Sequence, residues 1–116
     1  MAMVLCIGWD QSLLDTRTLI LKSAGHEVHQ ARTQKEVASL CEGRRFDVAV
    51  IGQPISRRIK QLVAPLIKEY CPEVKILELY HPHEGKALNE ADAWLEVPAD
   101  VPGDLAERVS ELANRK

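Results

Sequence analysis

Several absences narrow what this chain does. No apolar stretch approaches the roughly 18 residues of a membrane span, and the N-terminus lacks a basic segment followed by a signal-type apolar run. A soluble, cytoplasmic chain with no membrane contact is expected. Cysteine is sparse: the three residues Cys6, Cys41 and Cys71 are an odd number, widely spaced and mostly in apolar contexts. That usage suits reduced thiols packed in a core better than a disulfide framework. A G-x-G-x-x-G dinucleotide turn and a P-loop lysine motif are both missing. The net charge is only −2, with basic and acidic residues interspersed, so no strong field concentrates nucleic acid or anionic lipid. The basic pairs Arg44-Arg45 and Arg57-Arg58 precede and follow the same strand pattern, which separates them to opposite ends of a sheet and denies them a common phosphate-binding stripe. No nucleic-acid partner is expected.

The 116 residues are enough for one domain, spanning residues 1–116, with a core that needs no staples. Strand and helix signals alternate, the mark of an α/β protein with a parallel sheet covered on both faces. Met3 to Ile7 is a short apolar run suited to a strand buried on both sides. From Gln11 to Ala24 the apolar residues fall at helical spacing, with Gly25 placed for a left-handed terminus. His26 to Ala31 reads as a second strand. Thr33 and Glu36 have capping-box spacing before a helix closed by Gly43. Phe46 to Ile51 is the clearest strand and runs into the breaker Gly52-Gln53-Pro54. Ile59 to Tyr70 has helical periodicity, in which Pro65 is expected to kink or split the helix. Val74 to Leu79 supplies a fourth strand. His81 to Asp92 offers only Ala87 and Leu88 as clear core candidates, so a full amphipathic helix scarcely fits there. Ala93 to Val97, a loop from Pro98 to Gly103 and a helix around Leu105, Val109 and Leu112 complete the chain.

The stretch VLCIGWDQSLLDTRTLILKSAGHEV from Val4 to Val28 resembles the first strand and helix of bacterial response-regulator receiver domains. FDVAVIG at Phe46 to Gly52, CPEVKILELY at Cys71 to Tyr80 and ADAWLEVP at Ala91 to Pro98 resemble the third, fourth and fifth strands of the same family, in the same order. The resemblance implies a CheY-like, flavodoxin-like (βα)5 domain with strand order 2-1-3-4-5 and, here, a shortened or missing fourth helix. The family carries an acidic pair after strand one, a phosphate-accepting aspartate at the end of strand three, a Ser or Thr after strand four and a Lys-Pro pair after strand five. Those carboxylates hold Mg²⁺ while the lysine clamps the transferred group. The matching positions are Gly8 and Trp9, then Gly52, Tyr80 and Val97, leaving only Pro98 of the set. Asp10 lies one residue beyond the pair, and a lone carboxylate without an acceptor does not carry out aspartyl phosphorylation. A degenerate receiver, lacking the phosphorylation residues, is therefore expected.

Gly8 and Gly52 have a plain reading as tight-turn residues that tolerate the left-handed region. Trp9 is expected to fill the emptied pocket, with an exposed partner anchor as the alternative. Tyr80 and Trp94 are expected to pack ring on ring and lock one conformation. His81, His83 and Glu84, on the same rim as Asp10, have side chains suited to a transition metal, although His-Pro-His on a loop is usually solvated. His26 and His29 read as structural. Gly-Trp-Asp-Gln-Ser-Leu from Gly8 is too bulky for an FMN phosphate loop, and the three cysteines lie in strand, helix-stripe and pre-proline contexts unsuited to catalysis. The expectation is a non-enzymatic, stand-alone signalling module without a cofactor. It would bind a protein partner or itself, in phosphorelay fashion but independently of phosphorylation. The face expected to do so joins the segment around Leu88, the fifth strand with Trp94 and Glu96, and the last helix with Leu105, Arg108 and Glu111, and a homodimer is one form of it. The competing expectation is residual metal-dependent phosphoacceptor or metal-binding chemistry at Asp10 or Asp15.

Overall fold

The structure, a computed structural model described over residues 2–98 and 103–115, alternates strand and helix as far as its fourth strand. β1 (Met3–Ile7), α1 (Gln11–Ser23), β2 (Glu27–Ala31), α2 (Gln34–Gly43), β3 (Val48–Ile51), α3 (Arg57–Tyr70) and β4 (Lys75–Tyr80) are followed directly by β5 (Ala93–Glu96) and α4 (Asp104–Ala113). All strand pairs are parallel and the order is β2-β1-β3-β4-β5, as expected of the doubly wound α/β class. Residues 99–102 of the expected Pro98-to-Gly103 loop lie outside the described residues.

Alternation along the strands sends successive side chains to opposite faces, and both faces are covered. Leu5, Ile7, Ala49, Ile51 and Ile76 meet Val37, Val63 and Ile67 of α2 and α3. On the other face Val4, Cys6, Val50, Leu77 and Leu79 meet Leu14 and Leu21 of α1 and Val109 and Leu112 of α4. Local chemistry sets the helix starts. The side chains of Asp10, Thr33 and Ser56 each accept a backbone N–H of the first turn they cap. Glu36 reaches back as a capping box requires, but its carboxylate takes the N–H of Arg32, one residue before the cap. Gly25 adopts φ +93 after α1, the left-handed exit that its position suggests.

Pro65 neither splits nor ends α3, which is continuous from Arg57 to Tyr70. The reason is its side of the helix: Pro65 and Gln61, whose carbonyl loses its partner, are both exposed, so the unpaired carbonyl is not confined to the core.

No helix forms between β4 and β5, so among the described residues four helices stand where a (βα)5 chain has five. The intervening segment turns at His81, whose carbonyl accepts from Glu84 N and Gly85 N at 3.0 and 2.9 Å, with Gly85 at φ +72. It then runs over the face of the sheet that α2 and α3 cover, with Ala87 and Leu88 buried. A non-helical segment in that place leaves backbone donors in the core, and each needs an acceptor. Glu78, fully buried in β4, supplies one: its carboxylate takes Ala87 N at 2.8 Å and Leu88 N at 2.9 Å. Lys60 of α3, also buried, donates to the same carboxylate at 2.9 Å and to Leu79 O at 2.8 Å. The charge pair thus fills the layer where a helix face is missing.

His26 secures the other side of the molecule. Its Nδ1 accepts Ala2 N at 3.1 Å and its Nε2 lies 3.1 Å from Ser110 Oγ, tying the start of β1 to α4. That acceptor role requires the neutral ring with its proton on Nε2.

Glu78→Gln keeps the shape but strands the Lys60 ammonium, and urea unfolding is expected to show a loss of about 3–5 kcal/mol; a loss below about 1 kcal/mol, the range of exposed pairs, contradicts a buried anchor. Burial holds the His26 pKa below its ordinary value. The neutral ring is therefore favoured by folding, and its contribution is complete above about pH 6.5 and lost as pH falls towards the folded value. Stability curves between about pH 7 and 5 are expected to fall more steeply for the native chain than for His26→Gln; equal slopes contradict the assignment.

Candidate functional site at the carboxyl edge of the sheet

In a doubly wound sheet the chain leaves neighbouring strands in opposite directions at one point, opening a crevice beyond their carboxyl ends. Here that point lies between β1 and β3, adjacent in the sheet order. Gly8 N donates to Ala31 O at 3.1 Å and Gly52 N to Ile7 O at 2.9 Å, so both glycine amides are committed to the backbone. Neither residue has a positive φ; among the described residues only Gly25 and Gly85 do. The left-handed explanation for Gly8 and Gly52 is thereby corrected. Gly52 answers to crowding instead, because a Cβ there would lie 3.0 Å from Arg17 Nη1 and 3.1 Å from Ile7 O.

Arg17, which the sequence reading did not single out, is the residue that occupies the crevice. It rises from α1, is buried, and donates from Nη2 to the Gln53 side-chain oxygen. Burial lowers its pKa from the ordinary value. A guanidinium stays protonated even so. The tip of β3 therefore faces a fixed cation bound to the following loop.

Trp9 does not fill this pocket. It is 38 % exposed, while the Arg17 guanidinium is the group lying against Gly52. Asp10 is turned to structure, with Oδ1 accepting Leu13 N at 3.1 Å as the cap of α1. Asp15 lies on the exposed side of α1, where the amides of Gln30 and Gln11 hold its carboxyl below the ordinary range. His81 and His83 stack, with ring centroids 4.9 Å apart, and the His81 ring accepts the His83 N–H. Among the described residues no group of three or more His, Cys, Asp or Glu side chains is arranged to hold a metal ion. Asp10, His81, His83 and Glu84 are thus not gathered into one centre.

Tyr80 and Trp94 are not packed ring on ring. The Lys86 ammonium lies over both, 5.7 Å from the Tyr80 centroid and 4.7 Å from that of Trp94. Cation–π attraction takes the place of the expected aromatic contact. The Trp94 indole also donates to Leu88 O at 2.9 Å. Val97 N donates to Tyr80 O at 2.9 Å, Val97 is buried, and the Val97–Pro98 bond is cis.

Two members of the expected interaction face are corrected. Leu88 and Leu105 are buried, Leu88 drawn in by Glu78 and Leu105 by the α1/α4 layer. Trp94 and Arg108 are half-buried, while Glu96 and Glu111 are exposed. Arg108 donates to Trp94 O at 2.9 Å and Arg115 to Asp92 O at 3.2 Å. These arginines cover carbonyls along the β5 edge, a protection that edge strands need.

No family model and no curated protein matches the sequence. Solved structures do match. The chain is similar to the chemotaxis response regulator CheY4 of Vibrio cholerae, with 26% identity over 97% of this chain and 98% of that one and a TM-score of 0.73. A CheY-like response regulator receiver domain protein from Methanospirillum hungatei shares 23% identity over 98% and 94% of the two chains, with a TM-score of 0.75. This chain has the CheY-like receiver fold. A third match, at 24% identity over 97% and 71% of the chains and a TM-score of 0.71, is a response regulator protein from Burkholderia pseudomallei with a phosphorylated aspartic acid, a calcium ion and citrate. The receiver fold of this chain presents glycine and a guanidinium at the tip of its central strand.

Gly52→Ala is expected to cost about 1–3 kcal/mol in chemical denaturation, since backbone at Ile7 O cannot move aside as a flexible side chain can. A neutral result contradicts the close approach.

Proposed function

We propose that this chain is a degenerate receiver domain that signals through protein contacts and does not accept a phosphoryl group. The observation that carries the reading is the Arg17 guanidinium lying against Gly52 at the end of β3. In the Burkholderia pseudomallei regulator a phosphorylated aspartic acid and a calcium ion are present together. A divalent cation needs oxygen ligands and an acyl phosphate needs a carboxylate. Here Gly52 supplies no carboxylate, and a cation bonded to Gln53 stands beside it. Coulomb repulsion between that guanidinium and Mg²⁺ opposes metal entry.

Constancy replaces switching in this reading. Arg17 ties α1 to the loop after β3 from within, and Lys86, at the surface, joins Tyr80 to Trp94, so the elements that a phosphoryl group would move are held in place. The partner, a second protein or a second copy of the chain, meets the β5 side through Trp94, Glu96, Arg108 and Glu111. Beside them a cleft of about 480 Å³ lies between α3 and residues 87–91, where the absent helix leaves room. The 1–116 chain acts as a single domain, without enzymatic activity, in the cytoplasm. Among the described residues no helix is long and apolar enough to cross a membrane, which fits that placement.

Incubation with a small acyl-phosphate donor and Mg²⁺, followed by intact-mass measurement, is expected to leave the mass unchanged, alongside a conventional receiver that gains a phosphate. An acid-labile phosphate adduct on this chain, mapped to Asp10 or Asp15, overturns the reading.

A further inference from the structure

Cys41 lies in the last turns of α2 and Cys71 caps the end of α3, thirty residues apart in sequence, and the packing of these helices brings the two together. The Cys71 thiol sits over the end of α2, 3.9 Å from Cys41 O and 3.8 Å from Arg44 O. Both residues are buried and both are unbridged. They differ in access. Cys71 lines a surface cavity of about 430 Å³ together with Arg44, Arg45 and Pro72, whereas Cys41 is not among the residues lining it and belongs to the buried core.

We propose that Cys41 and Cys71 form a reversible oxidative modification site, in which a hydroperoxide entering beside Arg44 and Arg45 converts the pair to a disulfide. The Cys71 sulfur attacks the peroxide, breaking the O–O bond; the sulfur becomes a sulfenic acid and, with hydrogen peroxide, one water leaves. The Cys41 sulfur then attacks the sulfenic sulfur, the S–O bond breaks, and a second water leaves with the thiol proton. Two thiols and one peroxide give one disulfide and two waters, the two electrons passing from sulfur to oxygen. A dithiol reductant reverses the change by exchange.

Selectivity follows from position. Cys6 is sealed inside β1 and has no cysteine beside it, so it neither reaches the oxidant nor finds a partner. Burial, reinforced by the neighbouring Cys71 thiol, pushes the Cys41 pKa up to about 12. Cys41 is thus protonated at neutral pH and disfavoured as the first nucleophile; it attacks the adjacent sulfenic sulfur as its proton passes to the departing oxygen. The bridge, once made, fastens the end of α2 to the end of α3 on the face opposite α1 and α4.

The full chain is treated with hydrogen peroxide, quenched in acid, alkylated under denaturing conditions and mapped by mass spectrometry. The expected product has lost about 2 Da, has one alkylatable cysteine, Cys6, and gives a peptide linking Cys41 to Cys71 that dithiothreitol cleaves. Cys41→Ser is expected to stop at a sulfenic acid on Cys71, trapped by a carbon nucleophile such as dimedone, while Cys6→Ala still forms the bridge. If Cys41→Ser does not fold, Cys41→Ala serves the same purpose. Oxidation of Cys6 at a similar rate, over-oxidation of Cys71 without a bridge, or no reaction in the folded chain each overturns the proposal.

Discussion

The Lys60–Glu78 pair decides how this sheet is closed. β4 is covered on one face by α1 and α4, but on the other the helix that would follow it is absent. An irregular segment replaces it, and such a segment is stable in a core only when its N–H groups find acceptors. Glu78 accepts from Ala87 and Leu88 in one carboxylate, and Lys60 neutralises that carboxylate while donating to Leu79 O. Each partner would be costly alone, because an unpaired buried charge is strongly destabilising. Among the described residues no buried side-chain polar atom is left without a hydrogen bond, theirs included.

From that anchor the rest of the β4–β5 side takes its shape. Leu88, held inward, offers its carbonyl to the Trp94 indole. Lys86, one residue before Ala87, is placed over Tyr80 and Trp94. Arg108 then reaches from α4 to Trp94 O. The central strand is fixed separately, by Arg17 and Gln53. Two buried cations, Arg17 and Lys60, therefore stand near the carboxyl edge of the sheet.

The backbone was legible in the sequence because its signals were redundant. Short apolar runs marked the strands, the Thr33–Glu36 spacing marked the start of α2, and Gly25 announced the end of α1. The site was less legible, since its key contacts join residues that ordinary rules send to solvent. Lys60 shares a helix stripe with Val63 and Ile67, and Glu78 interrupts an otherwise apolar strand. Those misplaced charges were the available signal, and only the fold shows that they meet. Arg17 carried no such mark: its burial depends on the empty volume above Gly52, which no local pattern records. Trp9 was misassigned for the same reason, and Leu88 because the closure of its segment by Glu78 depends on a contact ten residues away.

A receiver that is held from within should show a single conformation on the timescale of signalling. Amide relaxation dispersion, which reports microsecond-to-millisecond exchange, is the most direct measurement. Flat profiles at Gly52, Gln53, Tyr80 and Ala87–Leu88, unchanged by Mg²⁺, are the expected result. Exchange shared by these residues, or a shift of their populations on adding Mg²⁺ with a phosphate analogue, would contradict the account.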